Sequence, residues 1–518
     1  MQKRLADLFV RLKDASTLDA AEQYARWTLP NVFTKDITAS DGKRTSLVHD
    51  YQSTGALLVN SAATKIVDAL FPQGSPFFRF AASADLTGIV DQLGLQGSVF
   101  SAQAEMEAVA SSIVFTKGGY AAKLRAIKLL LVTGNALEYF DSETERSYVY
   151  SVRDYATKRD GAGNVLTTIL RERISVADIP DDIRRAHFSN KEMYDDVRLF
   201  TGIMRERREL GYVYKVYQEV ETYPVGEPSY YPEDQCPYVV LAWNLVNGEH
   251  YGRSLVEDYA GDFARLSVLS RSLTLYEVEA ARVVNMVSSA SGVDIDALQD
   301  AETGEFVQTN QPAGTSSGVW SHEGGNAQKI AALQAEISTI EQKLSRAFMY
   351  GGNTRQGERV TAYEIRQNAQ EAQSALGDAY STLADNWLRK LAYLYVLNKY
   401  PEIRPMFELG ALELDVTVGT ASLYKSAQAD RLLEAVQSLQ LIVPVLQQAT
   451  VRTNVDALID SVMDSFGIQS SAFFYSEEEL QARQQAEQAQ QQQDQQQQQS
   501  LLQVTDPTVA GQQLGLIQ

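Results

Sequence analysis

From Gly252 to Val287 the chain runs without a proline, and apolar residues recur at steps of three and four. They are Leu255, Tyr259, Phe263, Leu266, Leu269, Leu273, Tyr276, Ala280, Val283 and Val287. That period places them on one face of a helix. A single helix over this span would be about 54 Å long at roughly 1.5 Å per residue. Such a rod is longer than a small domain is wide, so other elements must cover its stripe along the full length. A second helix carries Ile330, Leu333, Ile337, Ile340, Leu344 and Phe348 at the same steps. A third opens at Thr361 and Glu364, a T-x-x-E capping box in which hydroxyl and carboxylate satisfy orphan backbone donors. Its stripe runs from Ile365 to Leu394 and stops before Pro401, with Gly377 marking a point where a bend is expected.

The first half of the chain mixes element types. Helices are predicted over Gln2 to Thr28, Tyr51 to Leu70, Ala102 to Phe115 and Tyr120 to Val132, the first two ended by Pro30 and Pro72. Arg146 to Lys158 and Asn164 to Ile174 are rich in Tyr, Val, Thr and Ile, and Asp160-Gly161-Ala162-Gly163 joins them as a hairpin. Further strands are predicted at Val197 to Glu206, Tyr212 to Val220 and Tyr238 to Trp243. Ser288 to Asn326 is irregular, Leu412 to Val418 reads as a short strand, and helices run from Ser422 to Phe466. Between Gln484 and Gln499, 12 of 16 residues are Gln, a run that fits disorder or helix. The fold class is α+β, mainly helical.

Composition excludes several functions. A net charge of −20 argues against a surface that clamps nucleic acid, because phosphate binding needs dense Lys and Arg. It does not argue against a wall past which a polyanion slides. Cys236, the only cysteine, rules out an intramolecular disulfide and a cysteine zinc cluster, and reads as a buried small side chain before Pro237. No apolar run reaches the roughly 18 residues of a membrane span. The N-terminus, MQKRLADLFVRLKD, lacks a signal-peptide apolar block, which fits assembly in a reducing cytoplasm.

A search for chemistry finds no catalytic, cofactor-binding or metal-ligating set, and an enzyme is not expected. Gly42-Lys43-Arg44-Thr45 lacks the upstream glycine of a phosphate loop and has Arg where a hydroxyl belongs. His49, His187, His250 and His322 stand far apart, with no pair at metal-ligand spacing. Glu257, Asp258 and Asp262 sit where carboxylates complement a helix dipole. The loop Gly351 to Arg359 holds three glycines and two arginines between two long helices. Alone it is a helix-to-helix connection. Repeated around an axis, it would bring Arg355 and Arg359 to a DNA backbone without reading sequence.

Six segments in order resemble the portal (head-to-tail connector) proteins of short-tailed bacteriophages, the podoviruses. They are YARWTLPNVFTKD (Tyr24 to Asp36), LLLVTGNALEY (Leu129 to Tyr139), KRDGAGNVL (Lys158 to Leu166), CPYVVLAWN (Cys236 to Asn244), HYGRSLVEDYAGD (His250 to Asp262) and RQGERVTAYEIR (Arg355 to Arg366). The resemblance spans about residues 20 to 470 and implies a portal fold assembling as a dodecameric ring with an axial channel. It implies a wing over residues 1–251, stem helices over 252–287 and 327–350, a clip over 288–326 and a tunnel loop over 351–360. A long helix returning to the wing (361–421), crown helices (422–475) and a Gln-rich tail (476–518), disordered or forming a helical barrel, complete it. Asn353, Arg355, Gln356 and Arg359 would face double-stranded DNA in the channel, with Thr361 and Glu364 capping the helix behind them. Implied partners are the terminase large subunit, a tail adaptor, and capsid, scaffold and internal core proteins. The implied location is the virion's portal vertex, after assembly in the host cytoplasm, with no cofactor and no membrane.

Physics agrees with that architecture. Neighbours in a ring cover long amphipathic rods, and an acidic bore with few basic contacts lets DNA move. Two other classes compete: another oligomeric virion protein such as a tail adaptor, and an acid-dependent hydrolase.

Overall fold

In the computed structural model the described residues are 4–35, 47–73, 76–83, 86, 88, 96–208, 211–280, 283–287, 295–300, 319–323, 327–350 and 382–416. The chain divides into two units, Met1–Thr420 and Ala421–Gln518, and the second lies outside the described residues. So do the loop 351–360, the start of the third long helix, Gly377 and the Gln-rich run.

The N-terminal half combines helices and antiparallel sheets. The first predicted helix is two, α1 (Leu5–Leu12) and α2 (Ala15–Trp27). Asp14 divides them, because its carboxylate accepts from the backbone N–H of Ser16 at 3.1 Å and of Thr17 at 3.4 Å and so caps α2. Next come α3 (Thr54–Leu70), strand β1 (Phe78–Ala82), α4 (Gln96–Ser112) and α5 (Gly119–Thr133). The predicted strand Arg146 to Lys158 is also two. A turn in which Ser151 Oγ donates to Asp154 Oδ2 at 2.7 Å separates Arg146–Tyr150 from Tyr155–Arg159.

Four sheets form. Asn135–Asp141 (β2) lies between β3 (Arg146–Tyr150) and the strand Tyr238–Ala242. Five strands run in the order β4 (Tyr155–Arg159), β5 (Val165–Ser175), β6 (Asp196–Arg208), β7 (Gly211–Val220) and β8 (Tyr223–Pro232). Leu5 and Phe9 of α1 cover that sheet through Ala156, Ile169 and Phe200. The sequence reading lacks β8, whose Pro224, Pro228 and Pro232 argue against a strand. Its place at the sheet edge explains them, since an edge strand tolerates missing donors and proline blunts edge-to-edge pairing. Phe78–Ala82 pairs with Leu412–Val416, and Val283–Val287 pairs with Val319–Glu323.

The core between α3, α5 and the helix Arg389–Lys399 is packed with Phe71, Phe77, Trp387 and Tyr395, all almost fully buried. Inside it Lys123 pairs with Glu138, both side chains wholly buried. Trp387, on the π-wound turn Ala384–Leu388, donates its indole N–H to the second oxygen of Glu138 at 2.5 Å. The Lys123 ammonium also lies 5.5–5.8 Å from the rings of Tyr395, Trp387 and Phe71.

Gly134 ends α5 with φ of +73°, and a Cβ there would come within 2.4 Å of the Gly252 carbonyl. Gly134→Ala is expected to cost about 2 kcal/mol or more, from left-handed strain plus the clash. Unfolding midpoints in urea would show it, and an unchanged midpoint would refute it.

Candidate functional site

Two of the quoted segments meet through one side chain. Asn135 donates Nδ2–H to the Gly252 carbonyl at 2.7 Å and accepts from the Gly252 N–H at 2.7 Å. Strand Tyr238–Ala242, from a third segment, pairs along β2, and Trp243 N–H donates to the Gly134 carbonyl at 2.9 Å. His250 Nδ1 accepts from the Arg159 N–H at 3.3 Å, and the Tyr251 hydroxyl donates to the Leu12 carbonyl at 3.1 Å. These contacts fix the direction in which the chain leaves the sheets at Gly252.

The long helix then begins, in a shorter form than the periodicity predicts. Ser254 Oγ accepts from the Glu257 N–H at 3.0 Å and caps a single turn, Leu255–Asp258. After Tyr259 an outgoing helix runs over Ala260–Ala280, 21 residues or about 32 Å. Val283–Val287 is a strand and not the end of that helix. Three of those five residues are valine, whose branched side chains favour extended backbone, and a four-residue apolar step cannot by itself exclude a strand. Its antiparallel partner Val319–Glu323 leads into the returning helix Ala327–Ala347. The span 252–287 is therefore a capped turn, a helix and a strand. Between the strands only Ile295–Asp300, a helix, is described.

Both helices pack together as an antiparallel hairpin. Phe263 meets Phe348 edge-on at 5.7 Å. Asp262 pairs with Lys343 at 2.6 Å, and Arg265 pairs with Glu336. The returning helix is tied to α3 where Thr54 Oγ1 donates to Glu341 at 2.6 Å. Burial falls off with distance from the sheets. Phe263, Leu266, Ile340, Leu344 and Phe348 are buried, whereas Leu273, Tyr276, Ile330, Leu333 and Ile337 are only half-buried. In one copy the far half of the stripe is thus incompletely covered.

The acidic trio does not converge. Glu257 pairs with Arg253 at 3.2 Å, Asp262 pairs with Lys343, and burial raises the Asp258 carboxyl above its usual range. A cleft of about 470 Å³ beside them is lined by Asp14, Tyr24, Glu249, His250, Arg253 and Glu257. Its charges are spent on one another, since Arg253 also holds Glu249 at 2.6 Å and Asp14 caps α2. Among the described residues no group of three His, Cys, Asp or Glu could hold a metal ion, and no helix is long and apolar enough to cross a membrane. Cys236 is buried and its thiol is pushed up to about 11 by that burial. His187 stacks on Tyr223 at 3.6 Å.

Asn353, Arg355, Gln356, Arg359, Thr361 and Glu364 lie outside the described residues, as does the Gly42 to Thr45 segment. Sequence reasoning missed Lys123 and Glu138, and read Trp387 only as part of the third helix's apolar stripe. A signal was present for the first: Lys123 shares a helical face with Ala126, Ile127 and Leu130, where a charge is out of place.

A family model described as bacteriophage head to tail connecting protein matches residues 2–473. The chain belongs to that family. It is 36% identical over 487 residues to the portal protein of Pseudomonas phage phiKMV, covering 93% of this chain and 94% of that one. The portal protein of Enterobacteria phage T3 is 28% identical over 474 residues, 89% of this chain and 86% of its own. That of Escherichia phage T7 is 27% identical over 475 residues, with the same shares. A chain from the virion of a native gene transfer agent particle matches at TM-score 0.38 and 10% identity, over 88% of this chain and 94% of its own, too distant to carry an argument. The protein is a structural component of the head-to-tail junction of a phage virion and not an enzyme.

Proposed function

We propose that copies of this chain close into a ring whose bore admits viral DNA into the head and later releases it. The exposed far half of the helical hairpin carries the reading, because sister hairpins side by side would cover what one copy leaves open. The α+β half then forms the wing and the hairpin the stem. The β-ribbon Val283–Val287 with Val319–Glu323 forms the root of the clip. In this reading the clip meets the terminase large subunit and later a tail adaptor. Residues 422–475 form the crown, on the side of the scaffold and core proteins. The loop 351–360 presents Arg355 and Arg359, flanked by Asn353 and Gln356, to the phosphate backbone, and Thr361 with Glu364 caps the helix behind it. Assembly takes place in the host cytoplasm. Similarity to portal proteins over about nine-tenths of the chain supports this over a tail adaptor.

Packaging tests the reading. Heads assembled without this chain are expected to stay empty when offered DNA and the motor. Heads that fill normally without it would overturn the function.

A further inference from the structure

The hairpin carries two outward faces that are largely exposed among the described residues. On the outgoing helix Val268, Leu275 and Val278 are 63%, 57% and 67% exposed, and steps of seven and three put them on one side. Arg271 shares that side and lies 5.8 Å from the Tyr51 ring, which holds its charge without a carboxylate. Glu279 sits at the far end. The outward face of the returning helix is different in kind: Gln328, Ala331, Ala335, Ser338, Thr339 and Gln342 are all exposed and none is charged.

We propose that these two faces meet between neighbouring copies, the Val268 side of one hairpin seated on the Ala335 side of the next. The contact rests on the ring reading and names the surfaces that build it. Charge selects the occupant. Two chains of net charge −20 repel each other, so copies must meet where carboxylates are absent, and the Gln328 to Gln342 face offers that along four turns. Apolar knobs set against small uncharged residues allow close approach and bury valine and leucine at about 25 cal/mol per Å² of apolar surface. Height agrees as well. The pairs Asp262–Lys343 and Arg265–Glu336 put Val268 nearly level with Ala335. Copies in a closed ring are related by rotation alone, so with the hairpins set along the ring axis level residues are the ones that meet. The contact joins unlike faces, which is the head-to-tail arrangement that generates rings.

Cross-linking tests this with the full chain. In a Val268→Cys/Ala335→Cys variant the two thiols of one chain point away from each other on helices whose axes are about 8–10 Å apart, beyond disulfide reach. The native Cys236 is 2% exposed and does not compete. Purified rings of the double variant are expected to give a ladder of covalent oligomers on oxidation, while each single variant gives none. Rings that form normally without a ladder would overturn this contact and leave the ring reading intact; a wild-type chain that never forms rings would remove both. Leu275→Glu serves as a second arm, with the ring fraction at fixed concentration expected to fall about tenfold or more and the monomer's melting unchanged. Wild-type ring yield from Leu275→Glu would also overturn the contact.

Discussion

Lys123→Met is expected to destabilise the chain by about 3–5 kcal/mol, because it leaves the Glu138 carboxylate buried without its counter-charge. Glu138 would keep only the indole N–H of Trp387 as a partner among the contacts described. Adding Glu138→Gln removes the stranded charge and keeps an acceptor for that indole, so the double variant should recover most of the loss. Urea unfolding at fixed protein concentration measures both. A single variant within about 1 kcal/mol of wild type would mean that water or a rearranged partner reaches Glu138. A pH dependence accompanies the pair. Burial alone pulls the Lys123 ammonium down, yet Glu138 more than compensates and holds it above its ordinary range. A raised folded-state value stabilises fully below the unfolded lysine value of 10.5, and that contribution fades as pH rises through the folded value. The wild type should therefore lose in strong alkali an increment that the double variant lacks.

The second large effect concerns DNA. Arg355→Glu together with Arg359→Glu reverses two charges in every copy, and a ring multiplies the change by its subunit number. Rings should assemble normally, because neither arginine belongs to the Val268 and Ala335 faces proposed to join neighbouring copies. DNA-filled heads should fall about tenfold or more if, as proposed, these side chains face the duplex, since carboxylates would replace phosphate-seeking groups. Normal yields of filled heads, stable to storage, would remove these arginines from the channel.

Periodicity revealed the helical hairpin because amphipathic patterning is set by burial on one face. It overran at Val283, where a step of four continues the stripe as well in a helix as in the strand that tertiary pairing selects. Polar side chains that act on the backbone were harder to see. Asp14 splits a continuous-looking helix by capping, and Ser151 with Asp154 folds one apparent strand into two sheets. The proline-rich β8 looked unlike a strand for the same reason that it suits an edge. The junction between sheets and hairpin was legible only as resemblance: Asn135 and Gly252 stand 117 positions apart, and no local pattern announces their two hydrogen bonds. The Lys123–Glu138–Trp387 network lay hidden likewise, because Trp387 stands 249 positions from the Glu138 it meets.

A symmetry-resolved image reconstruction of the purified chain bears most directly on whether these hairpins line a common bore. The account predicts a closed ring in which each hairpin is flanked by two others around an opening wide enough for a DNA duplex. A solitary folded chain, or an assembly without a central opening, would contradict it.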